Sequence, residues 1–341
     1  MKTKVTKITN TGLRVAIMLL TFVFVYKQVF VKHDAQQWHA IWQSIKLGKA
    51  AYFLLIIISV LLIFNILTES FKWKFLIAKL EKVKLNQAIS AVLSGMAVSM
   101  FLPNRVGDYL GRVFVLQKAS HVKGILATLI GSLSQIIATL IIGLFGLMFF
   151  LPKVITFDSQ YYYWLYAGFW IAFVVFSFVV LLLYFQVGLL KMIVTALFSK
   201  MKQQIIDYAE VFSLYTVKDL IILLFYSVLR YIIYSTQFYL MLRVFGINTA
   251  LPAAFMLISV IYLLMTLIPT ITITELGIRG SVSAGVFGLY FEQTGVWNAE
   301  MAFQVIAASS ALWLLNLVIP SLLGALLTFR LKFFRRNIDD V

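Results

Sequence analysis

The sequence predicts an all-α, polytopic membrane helix bundle, with about 6–8 transmembrane helices and two re-entrant or broken-helix elements. Three observations carry this. Hydrophobic residues fill 62% of 341 positions while charged residues fill 12%, about half the charged share of soluble domains. Apolar runs of membrane-spanning length recur from end to end. Two of the apolar stretches stop at a proline and continue into a short charged motif.

The clearest spans are 13–31, 50–68, 124–151, 163–186, 219–242 and 303–329. Each approaches the length needed to cross a hydrocarbon core of about 30 Å, and backbone groups in lipid must bond within their own segment, which makes the spans helices. Residues 88–102 and 276–291 are short, and 250–268 ends at Ile268-Pro269. No soluble stretch remains for a second domain, so 1–341 reads as one membrane domain, with repeat halves at 50–186 and 219–329. The basic segment 1–14 leads into an apolar stretch without a small-residue cleavage site, so the first helix is expected to be retained. Cysteine is absent, which excludes disulfides and thiolate metal sites.

Lysine and arginine give the orientation. With a cytoplasmic N-terminus, segments 1–14, 68–87, 103–123, 187–218 and 330–341 lie inside and hold 21 of the 29 Lys and Arg residues. Segments 32–49, 152–162, 243–249 and 292–301 lie outside and hold 5. This places both termini in the cytoplasm and requires 88–102 to dip into the membrane and return. Lys72, Lys74, Lys79, Lys82 and Lys84 read as a topology determinant of the first inside loop. Trp38, Trp42 and Tyr161 to Trp164 suit an outer headgroup interface. The net charge of +16 is dispersed over the inside loops, which points to anionic lipid headgroups as partners and away from nucleic acid.

Ionisable residues at membrane depth cost about 2.5–3.5 kcal/mol each on insertion scales, so they mark paired or functional positions. One motif is Pro103-Asn104-Arg105-Val106-Gly107-Asp108, followed by Arg112. The other runs Pro269-Thr270-Ile271-Thr272-Ile273-Thr274-Glu275, followed by Arg279. Each places an arginine four residues after an acid, on one helix face. The first is approached from the cytoplasm and the second from outside, as in transporters built on inverted repeats. Arg230 stands within an apolar helix, with Glu275 or Asp108 as candidate partners. Ser132, Ser134 and Gln135 are suited to interhelical hydrogen bonds, and Gly131, Gly143 and Gly146 to close packing. The candidate substrate-binding residues are Arg105, Asp108, Arg112, Arg230, Thr272, Thr274, Glu275 and Arg279. The dispersed His33, His39 and His121 form no metal motif. Phosphate-loop, dinucleotide and nucleophile-elbow patterns are missing, so no cofactor is implied.

At its two charged motifs the chain resembles the flippase-like family of the lysylphosphatidylglycerol synthase transmembrane domain, also called UPF0104. That family shows Pro-x-Arg-x-Gly-acid, matched here by Pro103 to Asp108, and a later Pro…Gly-Leu-Gly-x-Arg-Glu, matched by Pro269…Glu275-Leu276-Gly277-Ile278-Arg279-Gly280. The resemblance covers essentially the whole chain in length, helix number and motif order. Two departures stand out: Arg112 follows its acid by four residues where three is commoner, and Glu275 precedes the second arginine where the family acid follows it. The resemblance implies re-entrant helices and a lipid flippase in a bacterial inner membrane, translocating a phospholipid or lipid-linked substrate. The arginines would then bind a headgroup phosphate. An intramembrane lipid-modifying transferase or its accessory subunit, with Asp108 or Glu275 as base, and a structural or regulatory membrane partner are the alternatives.

Overall fold

A computed structural model describes residues 48–100, 106–155, 162–189, 192, 207–269 and 272–327. The predicted span 13–31, the outer-loop Trp38 and Trp42, and Arg105 lie outside these residues. The described residues form α1 (Lys49–Ile77), α2 (Leu85–Ser99), α3 (Val106–Val113), α4 (His121–Val154), α5 (Tyr162–Phe185), α6 (Val217–Val244), α7 (Leu251–Leu267), α8 (Thr272–Phe291), α9 (Ala299–Trp313) and α10 (Ile319–Leu327). A π-helical turn, Leu314–Val318, joins α9 to α10. Among the described residues four segments are long and apolar enough to cross a membrane: α1, α4, Tyr163–Phe185 and the continuous Ala299–Leu327. The segment Asp207–Leu214 turns 77° into α6, and this bent pair is a fifth candidate. The protein is a multi-pass helical membrane bundle.

The 34-residue α4, about 51 Å long at 1.5 Å per residue, is the axis to which the rest can be referred. α1 lies antiparallel to α6. Ile58 accepts from Gln237 (3.1 Å), Asn65 from Arg230 (2.9 Å) and Leu76 from the Tyr215 hydroxyl (2.9 Å). Two buried apolar cores fill opposite halves of the bundle. Trp73, Leu76, Val92, Ile130 and Leu220 pack at the His121 end of α4, and Ile58, Phe150, Phe238, Leu257 and Phe287 pack at the Val154 end.

Two helical hairpins enter this frame from opposite ends. In the first, α2 and α3 run back to back with their backbones in contact. A Cβ on Gly111 would stand 2.6 Å from Gly95 Cα, and one on Gly107 would stand 2.7 Å from Ser99 Cα, so only glycine permits the approach. Both ends of this hairpin return to one place. The Glu81 carboxylate, just before α2, accepts the backbone N–H groups of Gln117, Lys118 and Ala119 just after α3, at 2.7–3.1 Å. That place is the start of α4, where Leu116 and Val113 pack against Gly124. In the second hairpin, α7 descends along α4, with Gly143 facing Leu263 and Gly146 facing Ser259. Its return helix α8 ends where Gln293 Nε2 donates to the Val154 carbonyl (2.8 Å). The hairpins thus open at opposite ends of α4, as the charge pattern predicts.

One expectation needs correction. The first described span does not stop at residue 68. Helix α1 continues to Ile77 and buries Glu69, Ser70, Lys72, Trp73 and Leu76. Lys72 is therefore an interior residue, 3% exposed and paired with Glu69 (3.0 Å), and not part of an aqueous loop. The pairing offsets the cost of carrying two charges inward.

Candidate functional site

The site begins with one helical turn of α3. Asp108 and Arg112 share a face, and the guanidinium clasps the carboxylate with both edges: Nε to Oδ1 at 2.8 Å and Nη2 to Oδ2 at 2.5 Å. Gly95 of α2 makes room for this clasp. A Cβ there would stand 2.8 Å from the Asp108 carbonyl oxygen and 2.9 Å from Arg112 Cγ. The third nitrogen, Nη1, donates to Glu69 Oε1 at 2.5 Å. With every nitrogen engaged, the Arg112 side chain is 5% exposed.

Glu69 is the hub. Its other oxygen, Oε2, takes Lys72 at 3.0 Å and Arg230 at 2.9 Å. Arg230 also donates Nε to Asn65 Oδ1 at 2.9 Å. Asn65, Glu69 and Lys72 are spaced four and three residues apart, so α1 presents them on one face. The partner of Arg230 is thus Glu69 with Asn65, in place of the expected Glu275 or Asp108. Arg230 falls at the midpoint of the 28-residue α6, deep in the bundle.

The second motif forms its own pair in the first turns of α8, Arg279 Nη2 to Glu275 Oε1 at 2.9 Å. Tyr234 of α6 stands one turn on from Arg230, and its hydroxyl is near enough to both the Arg230 and Arg279 guanidiniums to feel their charge. That hydroxyl accepts from Gln135 Nε2 (3.3 Å), and its ring packs against Tyr262 (4.9 Å) and Tyr231 (5.4 Å). Thr274 is exposed and Thr272 opens α8. Asp108, Arg112 and Arg230 are therefore joined through Glu69 in one buried network, and Glu275 and Arg279 form a second pair on α8.

The cations differ in what they have left to offer. Arg230 and Arg279 are open at 20% and 16% side-chain exposure. Among the described residues nothing accepts from Arg230 Nη2 or Arg279 Nη1, and the buried Arg279 Nε has no partner. Lys72, Arg112, Arg230 and Arg279 outnumber Glu69, Asp108 and Glu275 by one charge. A desolvated surplus of positive charge, carried by forks with spare donors, favours an anion with several acceptor oxygens.

Sequence reasoning missed Glu69, Lys72, Asn65 and the role of Tyr234. The face shared by 65, 69 and 72 was the readable signal, hidden because the polar residues follow directly on an apolar run.

The family model for the lysylphosphatidylglycerol synthase TM region matches residues 11–324. No curated protein and no solved structure matches the chain. With nearly its whole length matched and a multi-pass helical bundle observed, the chain belongs to the family of the lysylphosphatidylglycerol synthase TM region.

Proposed function

We propose that the protein moves a lipid with an anionic headgroup between the two leaflets of a membrane. One observation carries the reading: Arg230 and Arg279 hold unengaged guanidinium donors around Tyr234, deep in the bundle, beside hairpins that open at opposite ends. A phosphodiester placed there would receive charge-assisted hydrogen bonds from Arg230 Nη2 and Arg279 Nη1. Arg112, fully engaged, would hold the first hairpin in place while Glu69 aims Arg230. Glu275 does the same for Arg279. Alternating exposure of this region to either end would transfer the headgroup while the acyl chains stay in lipid.

The orientation follows from charge. Among the described residues, Lys79, Lys82, Lys84, Lys118, Lys123 and Lys218 lie at the end where α2–α3 opens, and Lys49, Lys153 and Arg243 lie at the other. By the positive-inside rule this supports reading the first end as the cytoplasmic one, and we place the protein in a bacterial inner membrane as part of the same proposal.

The test is transbilayer movement of an acyl-labelled anionic phospholipid in vesicles holding the purified protein, read by chemical quenching of the outer leaflet. Arg279→Gln is expected to slow movement about tenfold or more, the worth of one charge-assisted pair. Movement at the unmutated rate in Arg279→Gln removes the arginine from the path and the reading with it.

A further inference from the structure

The seam where the hairpin tips meet holds polar groups that phosphate binding leaves unused. Met100, at the inner end of α2, and Leu276, in the first turns of α8, join Trp313, Leu317 and Val318 in one buried cluster. This cluster straddles the π-helical turn Leu314–Val318, midway along Ala299–Leu327. Such a turn re-aims the side chains around it and recurs at functional sites.

The register of α8 against α9 places Trp313. Trp297 faces Gly288, Ile306 faces Gly280, and the Ser283 and Ser309 hydroxyls are 3.3 Å apart. The helices are antiparallel, so Trp313 lies level with Leu276, one turn from Arg279. Trp313 is 3% exposed, yet its Nε1–H has no acceptor among the described residues. Three residues on, Asn316 Oδ1 is buried with no donor among the described residues, and the Ser94 and Ser321 hydroxyls of the adjoining α2 and α10 are unpaired among them too. Buried donors and acceptors are nearly always satisfied in native structures, so a donor and an acceptor left unpaired three residues apart, beside the π-helical turn, call for a polar partner. An indole nitrogen only donates and a carboxamide oxygen only accepts. A hydroxyl group answers both.

We propose that Trp313 and Asn316 form the uncharged half of the headgroup site and select lipids whose phosphodiester carries a hydroxylated alcohol. The inference rests on Arg230 and Arg279 as the phosphate-binding half. Both atoms are covered in this conformation, so the headgroup meets them as the hairpin tips part during transit.

The experiment compares acyl-labelled phosphatidylglycerol and phosphatidylinositol with phosphatidylethanol, a phosphodiester of the same charge without a hydroxyl, in vesicles holding the full chain. Phosphatidylcholine sets the baseline. The unmutated protein is expected to move the hydroxylated lipids about fivefold or more faster than phosphatidylethanol, the worth of one to two hydrogen bonds. In Trp313→Phe and in Asn316→Leu that ratio is expected to collapse towards one. Asn316→Leu is also expected to raise the melting temperature in lipid-free detergent, because it removes an unpaired acceptor; a group needed only for packing would lower it. A ratio of one in the unmutated protein overturns the inference, and so does a ratio kept in both variants, which would mean that water alone fills the seam. If no anionic lipid outpaces phosphatidylcholine, the phosphate reading of Arg230 and Arg279 fails first and takes this one with it.

Discussion

Replacing Glu69 with glutamine withdraws the one negative charge that Arg112, Lys72 and Arg230 share. Locally, the cluster then holds three cations against Asp108 alone. The shape of the side chain is kept, so the loss is electrostatic. Removing one partner from a buried ion network costs about 3–5 kcal/mol, and three cations around one carboxylate argue for the upper part of that range. The unfolding of purified protein in mixed detergent micelles reads this directly. Lys79→Met is the control, since its pair with Asp219 (2.9 Å) is at the rim and is worth about 1 kcal/mol or less. Adding Arg230→Gln to Glu69→Gln is expected to cost less than the sum of the two, with a coupling of about 1–3 kcal/mol. A Glu69→Gln protein as stable as Lys79→Met would refute the hub and detach Arg230 from the first hairpin.

Gly111→Val puts a branched side chain where a Cβ already stands 2.6 Å from Gly95 Cα; backbone cannot rotate away, so α2 and α3 must part, at a cost of about 1–3 kcal/mol, seen as a lowered melting point and faster amide exchange across 94–112. Unchanged melting would contradict the backbone contact. Glu81→Ala removes the acceptor of three consecutive N–H groups; exchange at Gln117, Lys118 and Ala119 is expected to quicken, with a loss of about 1 kcal/mol because water reaches this rim. Protected amides there would show that the hairpin is closed by other contacts.

Much of this architecture was readable from residue order. Pro103 and Pro269, each followed by an acid and an arginine four residues after it, fall in sequence between α2 and α3 and between α7 and α8. The loop charges placed the hairpins at opposite ends, and 124–151 and 219–242 fell inside α4 and α6. What stayed hidden depends on chain separation and on helix continuation. Arg230 meets Glu69 from 161 positions away, a pairing that spacing along one sequence does not encode. Lys72 looked like a loop residue because four more lysines follow it within twelve positions, although α1 holds its helix to Ile77. The π-helical turn Leu314–Val318 comes just before Pro320, which has no N–H to give to the Asn316 carbonyl four residues back and so interrupts the regular ladder.

The central claim is that hairpins α2–α3 and α7–α8 open on opposite faces of the membrane with the arginines between them. The cysteine-free sequence allows a direct measurement: single cysteines at Lys82 and Gln293, probed in sealed vesicles of known sidedness with a membrane-impermeant thiol reagent. The account predicts that reagent on the cytoplasmic side labels only position 82 and reagent on the other side only position 293. Labelling of both positions from one side would contradict it.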